Sequence, residues 1–184
     1  NINGFHVKDE KGEVHEIFRG GKKVKSNAIW QLKAAEKIAG FNLVIDQNVK
    51  NKNFYMWEMN KDWNFTRNYG RGIYRTNQAR YFQAEKDFQV DFNGDGTIGY
   101  KLKSIESKGN DELLKDNFNG FHVKDEKGEV HEIFRGGKKV ISNKTWELKA
   151  AETVLGKNLV IDQNKKNKNF YMWEMNKDWN FTRN

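Results

Sequence analysis

Phe54-Tyr55-Met56-Trp57-Glu58-Met59 is the clearest strand pattern in the chain. Large side chains alternate there, with Tyr55, Trp57 and Met59 on one face of an extended chain, the pattern of a strand with one face in a core. Asn60-Lys61-Asp62 turns the chain, and Trp63 and Phe65 follow on a return strand. Upstream, Leu43-Val44-Ile45-Asp46 reads as another strand, separated by the polar loop Gln47-Asn48-Val49-Lys50-Asn51-Lys52-Asn53. Three antiparallel strands joined by short loops are the economical reading.

Further upstream, Trp30 to Ile38 carries two opposed signals. Its Ala, Glu and Lys content suits a helix, while the alternation of Trp30, Leu32 and Ala34 before Gly40 suits a strand, which is the reading taken. Before it, Phe5 and Val7 are expected to face Val14, Ile17 or Phe18 across an Asp-Glu-Lys-Gly turn, with a stop at Gly20-Gly21. Glu112 to Lys115 and Phe121 to Val123 read as a further strand, turn and strand.

Downstream, the linker Tyr69-Gly70-Arg71-Gly72 is expected to end the sheet. Thr76-Asn77 can cap a helix over about 76–90, with Tyr81, Ala84 and Phe88 on one side. It feeds into Asp91-Phe92-Asn93-Gly94-Asp95-Gly96-Thr97-Ile98-Gly99, which occurs once. Oxygen-bearing side chains at Asp91, Asn93 and Asp95, Gly96 for the sharp turn and the Thr97 carbonyl match the first half of an EF-hand calcium loop. The twelfth position is Leu102 instead of Glu, so water or a carboxylate from elsewhere must complete the cage. From Ile98 to Ile105 a strand is expected rather than a second helix.

Residues 1–68 and 117–184 are identical at 58 of 68 positions, a period of 116 residues. Such a period suits whole domains in tandem and is too long for a solenoid coil. The fold expected is therefore mainly β (α+β): a small antiparallel sheet domain in tandem, each copy followed by one short helix and an EF-hand-like calcium loop. Unit 1, residues 1–99, would lack its first strand. Unit 2, residues 100–184, would lack its helix and loop. The chain starts at Asn1 rather than Met and reads as a segment of something longer.

The run Trp30-x-Leu32-x-Ala34-Ala35-Glu36, Leu43-Val44-Ile45, Tyr55-x-Trp57-x-Met59-x-x-Asp62-Trp63-Asn64-Phe65 and the closing Asp91-Phe92-Asn93-Gly94-Asp95-Gly96 resembles the tryptophan-rich repeat domain of bacterial, chiefly cyanobacterial, surface proteins. The resemblance covers essentially the whole period and implies tandem repeats in large secreted or surface-attached proteins.

Composition narrows function. No cysteine means no disulfide, thiolate zinc site or thiol nucleophile. No serine triad or phosphate loop is visible, so no enzyme is expected. No run approaches a membrane span, so no insertion is expected. The net charge of +8 lies in the repeated blocks, with 12 basic against 8 acidic residues in 1–68 and 13 against 9 in 117–184. That suits a polyanion such as acidic polysaccharide; nucleic acid has no recognisable module behind it. The candidate ligand-binding residues are Trp63 and Trp179 as sugar-stacking platforms, read against their competing role as core, with Lys22, Lys23, Lys138 and Lys139. His6 and His15 lie on two arms of one hairpin and could hold a metal only with a third ligand. The expected function is a structural or adhesive tandem repeat of an extracellular or cell-surface protein. Calcium, its expected cofactor, would stiffen the passage between copies, and neighbouring copies of the chain would be its partners, end to end in a filament. The alternative is a carbohydrate-binding array.

Overall fold

Strand makes up 49% of the computed structural model, which describes residues 4–184. The chain is mainly β, its sheets are antiparallel, and it carries one short helix among the described residues. It divides into unit 1 (1–99) and unit 2 (100–184).

Unit 1 begins with two small hairpins. Strands β1 (His6–Lys8) and β2 (Val14–Glu16) form the first, and β3 (Phe18–Arg19) and β4 (Lys22–Lys23) the second. Gly20 and Gly21 are not the stop that the sequence suggested. Both have positive φ, 57° and 72°, which a two-residue hairpin turn requires. Val7 lies opposite His15 rather than Val14, and Lys8 opposite Val14.

A four-stranded meander comes next: β5 (Trp30–Ile38), β6 (Phe41–Asn48), β7 (Phe54–Met59) and β8 (Phe65–Asn68), paired in that order. The disputed stretch 30–38 is strand β5. A bulge between Leu32 and Ala34 shifts its register against β6, so its alternation is broken midway. Trp57 and Met59 point into a core with Val7, Ile17, Val44 and Trp63. Phe54 and Met56 point the other way and are also buried.

That second face is covered by the chain beyond β8. Tyr69 donates its N–H to the Met56 carbonyl at 2.7 Å, and Phe54 and Tyr74 exchange two backbone bonds of 3.0 and 2.8 Å. The predicted linker thus runs back along β7 instead of leaving the sheet. Helix α1 (Ala79–Phe88) starts later than expected, and its N-cap residue, Gln78, makes no side-chain cap. Tyr81, Phe82, Ala84, Glu85 and Phe88 form its buried side.

Unit 2 starts with β9 (Leu102–Glu106), β10 (Glu112–Asp116), β11 (Phe121–Lys124) and β12 (Val130–Glu132), one four-stranded sheet in the order β12-β11-β10-β9. Then come β13 (Phe134–Arg135) and β14 (Lys138–Lys139) as a hairpin. A second meander closes the unit with β15 (Trp146–Val154), β16 (Lys157–Asn164), β17 (Phe170–Met175) and β18 (Phe181–Arg183). Its registers copy unit 1, with Asp162 opposite Tyr171 as Asp46 is opposite Tyr55. The core contains Leu113, Phe121, Val123, Ile133, Trp173 and Trp179.

Candidate metal loop and basic groove

Helix α1 ends at Phe88 and is capped by Gln89, whose left-handed backbone (φ 54°) lets its N–H reach the Glu85 and Lys86 carbonyls. Val90 N–H returns to the Glu85 carbonyl at 3.1 Å, and the chain enters the loop. Asp91 holds the turn together. One carboxylate oxygen accepts from the N–H groups of Gly94 (2.7 Å) and Asp95 (3.2 Å), the other from Gly96 (2.7 Å). Asn93 Oδ1 accepts from Asp95 N–H at 2.7 Å, and Asp95 Oδ1 from Thr97 N–H at 3.0 Å. Gly94 and Gly96 have φ of 76° and 83°, open only to residues without a Cβ at low cost.

The sequence reading missed Glu85. It is fully buried, and its carboxylate spans the loop: Oε1 accepts from Phe92 and Asn93 N–H at 3.0 and 3.2 Å, Oε2 from Gly99 N–H at 3.1 Å. Burial pushes its pKa up, against the pull of those three N–H groups, and the neighbouring Asp91 charge adds to the rise. The only signal for it was an acidic residue on the apolar side of the helix. Beside it, Gln47 Nε2 donates to the Phe92 carbonyl at 2.7 Å and the Lys52 carbonyl at 2.9 Å, and Tyr81 hydroxyl donates to Lys52 at 3.0 Å. The loop is therefore tied to the β6–β7 connection as well as to the helix.

Chemically, the side chains of Asp91, Asn93 and Asp95 and the Thr97 carbonyl are hard oxygen donors at loop positions 1, 3, 5 and 7. This set fits calcium and not a thiophilic metal. Asp91 Oδ1 is filled by two N–H groups, whereas Asp91 Oδ2 and Asn93 Oδ1 each take one and keep an acceptor site that an ion could use. Both Glu85 oxygens already bind loop N–H groups. In this loop a helix carboxylate closes the turn from outside.

Trp63 and Trp179 are buried, 4% and 2% exposed, with φ of 57° and 55°. Each joins a core cluster, and each backbone carbonyl accepts from the first residue of the small hairpin, Phe18 or Phe134, at 3.2 Å. So placed, neither indole offers an open face to a sugar ring.

The four lysines lie elsewhere, along one groove in each unit. In unit 1 the groove is lined by Arg19, Lys22, Lys23, Trp30, Asp46 and Trp57; in unit 2 by Arg135, Lys138, Lys139, Trp146, Asp162 and Trp173. Arg19 sits 4.8 Å above the Trp57 ring and 4.7 Å above Phe65, and Arg135 repeats this on Trp173 and Phe181. Lys23 pairs with Glu16 at 2.8 Å and Lys139 with Asp116 at 2.9 Å, whereas Lys22 and Lys138 are exposed. On the groove floor, burial pushes the Asp46 carboxyl up to about 6 despite the Arg19 charge. Burial raises Asp162 too, again opposed by its arginine.

His6 and His15 are not brought together. His6 pairs in register with Glu16, while His15 Nε2 lies 3.0 Å from Asp9 Oδ2. Asp9, Glu13 and His15 place one ligand atom each within 4.8 Å of one another, as do Asp125, Glu129 and His131. Asp9 and Asp125 also accept turn N–H groups, which accounts for both clusters as hairpin fastenings. Among the described residues no helix is long and apolar enough to cross a membrane.

Searches of curated proteins and of solved structures return no match. A family model does match, over residues 1–99 and again over 111–184. The match spans nearly the whole chain and both meanders with their paired tryptophans, and the chain belongs to the family of the tryptophan-rich Synechocystis species C-terminal domain.

Proposed function

We propose that the chain is a non-enzymatic structural or adhesive module of a tandem, extracellular surface protein whose 91–99 loop holds calcium. The observation that carries this reading is the Glu85 carboxylate, which fastens both ends of a loop whose four donors are spaced for that ion. Bound through one oxygen each, Asp91, Asn93, Asp95 and Thr97 would supply four of the six to eight oxygens calcium takes, and water or a carboxylate from elsewhere would supply the remainder. Extracellular modules of this kind bind calcium at roughly 10⁻⁴ to 10⁻³ M, so the loop would be loaded outside a cell and empty inside. Because the loop ends at Gly99, the last residue of unit 1, the ion would order the chain just before the next unit begins. Scanning calorimetry in EDTA and in millimolar calcium tests this. A rise in unit 1 melting temperature with calcium, absent with magnesium, is expected; identical melts would end the calcium reading.

A second reading, recognition of acidic polysaccharide, is favoured by the groove that recurs in both units. Arginine, lysine and tryptophan converge there over a buried aspartate. Retention on immobilised polyuronate that survives EDTA, and that falls when Arg19→Ala and Arg135→Ala are combined, would support it. Retention unchanged by both substitutions would remove it.

A further inference from the structure

Strands β7 and β17 have the same sequence, Phe-Tyr-Met-Trp-Glu-Met, and the same pairing with the strand before them. Their outer faces are in opposite states. Phe54 and Met56 are 0% and 4% exposed, while Phe170 and Met172 are 59% and 49% exposed. In unit 1 the cover is residues 69–99: the Phe54 ring lies 5.0 Å from Tyr74, 4.7 Å from Tyr81 and 5.2 Å from Phe92.

The uncovered face already has the shape of the covered one. Lys168 takes φ 65° where Lys52 takes 62°. Gln163 Nε2 donates to the Lys168 carbonyl at 3.0 Å, as Gln47 does to Lys52 at 2.9 Å. In unit 1 that amide also holds Phe92, that lysine carbonyl also holds Tyr81, and Asn53 Oδ1 accepts from Thr76 N–H at 3.3 Å. Gln163, Lys168 and Asn169 present the same groups beside Phe170. An apolar patch rimmed by unchanged hydrogen-bonding groups marks an interaction surface, and its strand face is preorganised, which lowers the entropic cost of binding.

We propose that the Phe170 and Met172 face of unit 2 is a docking site for a polypeptide segment with the chemistry of residues 69–99. Such a segment carries a tyrosine that bridges to the strand, an amphipathic helix with an inward tyrosine, and a loop phenylalanine. The match is tight at Phe170 and looser at one end. Phe41, which meets Tyr69 at 5.6 Å, is replaced by Lys157, so the bridge, helix and loop carry recognition. The occupant is not a second intact copy of the chain, because there residues 69–99 already cover Phe54.

The test uses the whole protein with a synthetic peptide of residues 69–99 as probe, and in parallel the protein with that segment fused after Asn184. Peptide or fusion is expected to slow hydrogen exchange of the 170–172 amides by roughly tenfold or more. Phe170→Asp in the protein, which alters an exposed residue and leaves the unfused fold intact, is expected to abolish that protection. So is a Tyr81→Ala, Phe92→Ala segment. Absence of protection in both formats would overturn the proposal, as would protection that survives Phe170→Asp. So would dimerisation of the unfused protein that Phe170→Asp abolishes, since the occupant would then be a second copy. Calcium is kept at a fixed level, and a loop that binds no calcium leaves this result unaffected.

Discussion

Glu85 accepts a hydrogen bond from the N–H of Gly99, fourteen residues further on, at 3.1 Å, while its other oxygen takes the N–H groups of Phe92 and Asn93. One buried carboxylate thus fixes the entrance and exit of the loop. Glu85→Ala strands three N–H groups, each costing about 1 to 3 kcal/mol if it stays dry. The expected loss of unit 1 stability is about 3 kcal/mol or more, read from chemical denaturation. Glu85→Gln keeps the shape and one good acceptor and should cost less than half as much. Equal melts for Glu85→Ala and the parent would show that the clamp is idle.

Asp95 tests the ion rather than the fold. At roughly 10 mM calcium, a site of the expected affinity contributes about 1 to 3 kcal/mol. Asp95→Ala should abolish that increment and leave the melt in EDTA nearly unchanged. A calcium increment that persists in Asp95→Ala would place the ion elsewhere.

Asp46 makes a pH prediction. Its folded-state pKa, about 6, lies above the unfolded value of 3.8, so the native state holds the proton longer. Its contribution is therefore neutral below about pH 4 and becomes unfavourable as pH rises through 6, by up to roughly 3 kcal/mol. Asp46→Asn should stabilise unit 1 at pH 7 and not at pH 3.5, in urea melts across that range. The same gain at both pH values would mean that Asp46 is not the titrating group.

Asp116 behaves in the opposite sense. Burial alone would raise its carboxyl, but hydrogen bonds from His122 (3.0 Å), Lys139 (2.9 Å) and Gly120 N–H (2.7 Å) overcome this and hold it well below the usual range. Its stabilisation is present above about pH 4 and is lost as pH falls. His122 is buried beside it, whereas the matching His6 is 40% exposed and 3.9 Å from Glu16. Exchange on acidification should accelerate more in β11 than in β1, and Asp116→Asn should remove the difference. Parallel acid sensitivity in the two hairpins would rule out the buried carboxylate as its source.

Trp63→Ala is expected to cost about 3 to 5 kcal/mol of unit 1 stability, the price of emptying a core site. A variant that keeps its stability yet loses glycan binding would restore the platform role.

Much of the fold was legible in the chain. Alternation at Phe54–Met59, the polar loop and the Asn60-Lys61-Asp62 turn predicted the meander, because period-two patterning and turn chemistry are local; the loop begins after Asn48 instead of at Gln47, which is still paired in β6. The 30–38 strand was readable despite its helix-forming residues, since pairing with β6 outweighs a weak intrinsic preference. The tight turn at Asp91–Thr97 was also readable from its glycines and side-chain oxygens. Glu85 was not, because nothing local tells a buried acid that it will meet three N–H groups up to fourteen residues away. Nor was the return of 69–74 along β7, which rests on bonds between Phe54 and Tyr74.

Most strands, the Asn60-Lys61-Asp62 turn and the family are properties of short-range pattern in the chain. Which faces are covered depends on packing across the fold. Phe54 and Phe170 sit in identical hexapeptides, so no local rule can separate them; one meets Tyr74, Tyr81 and Phe92 across the fold, and the other meets solvent. Burial is a relation between distant segments, and identical residues acquire different roles when the segment packed against them differs.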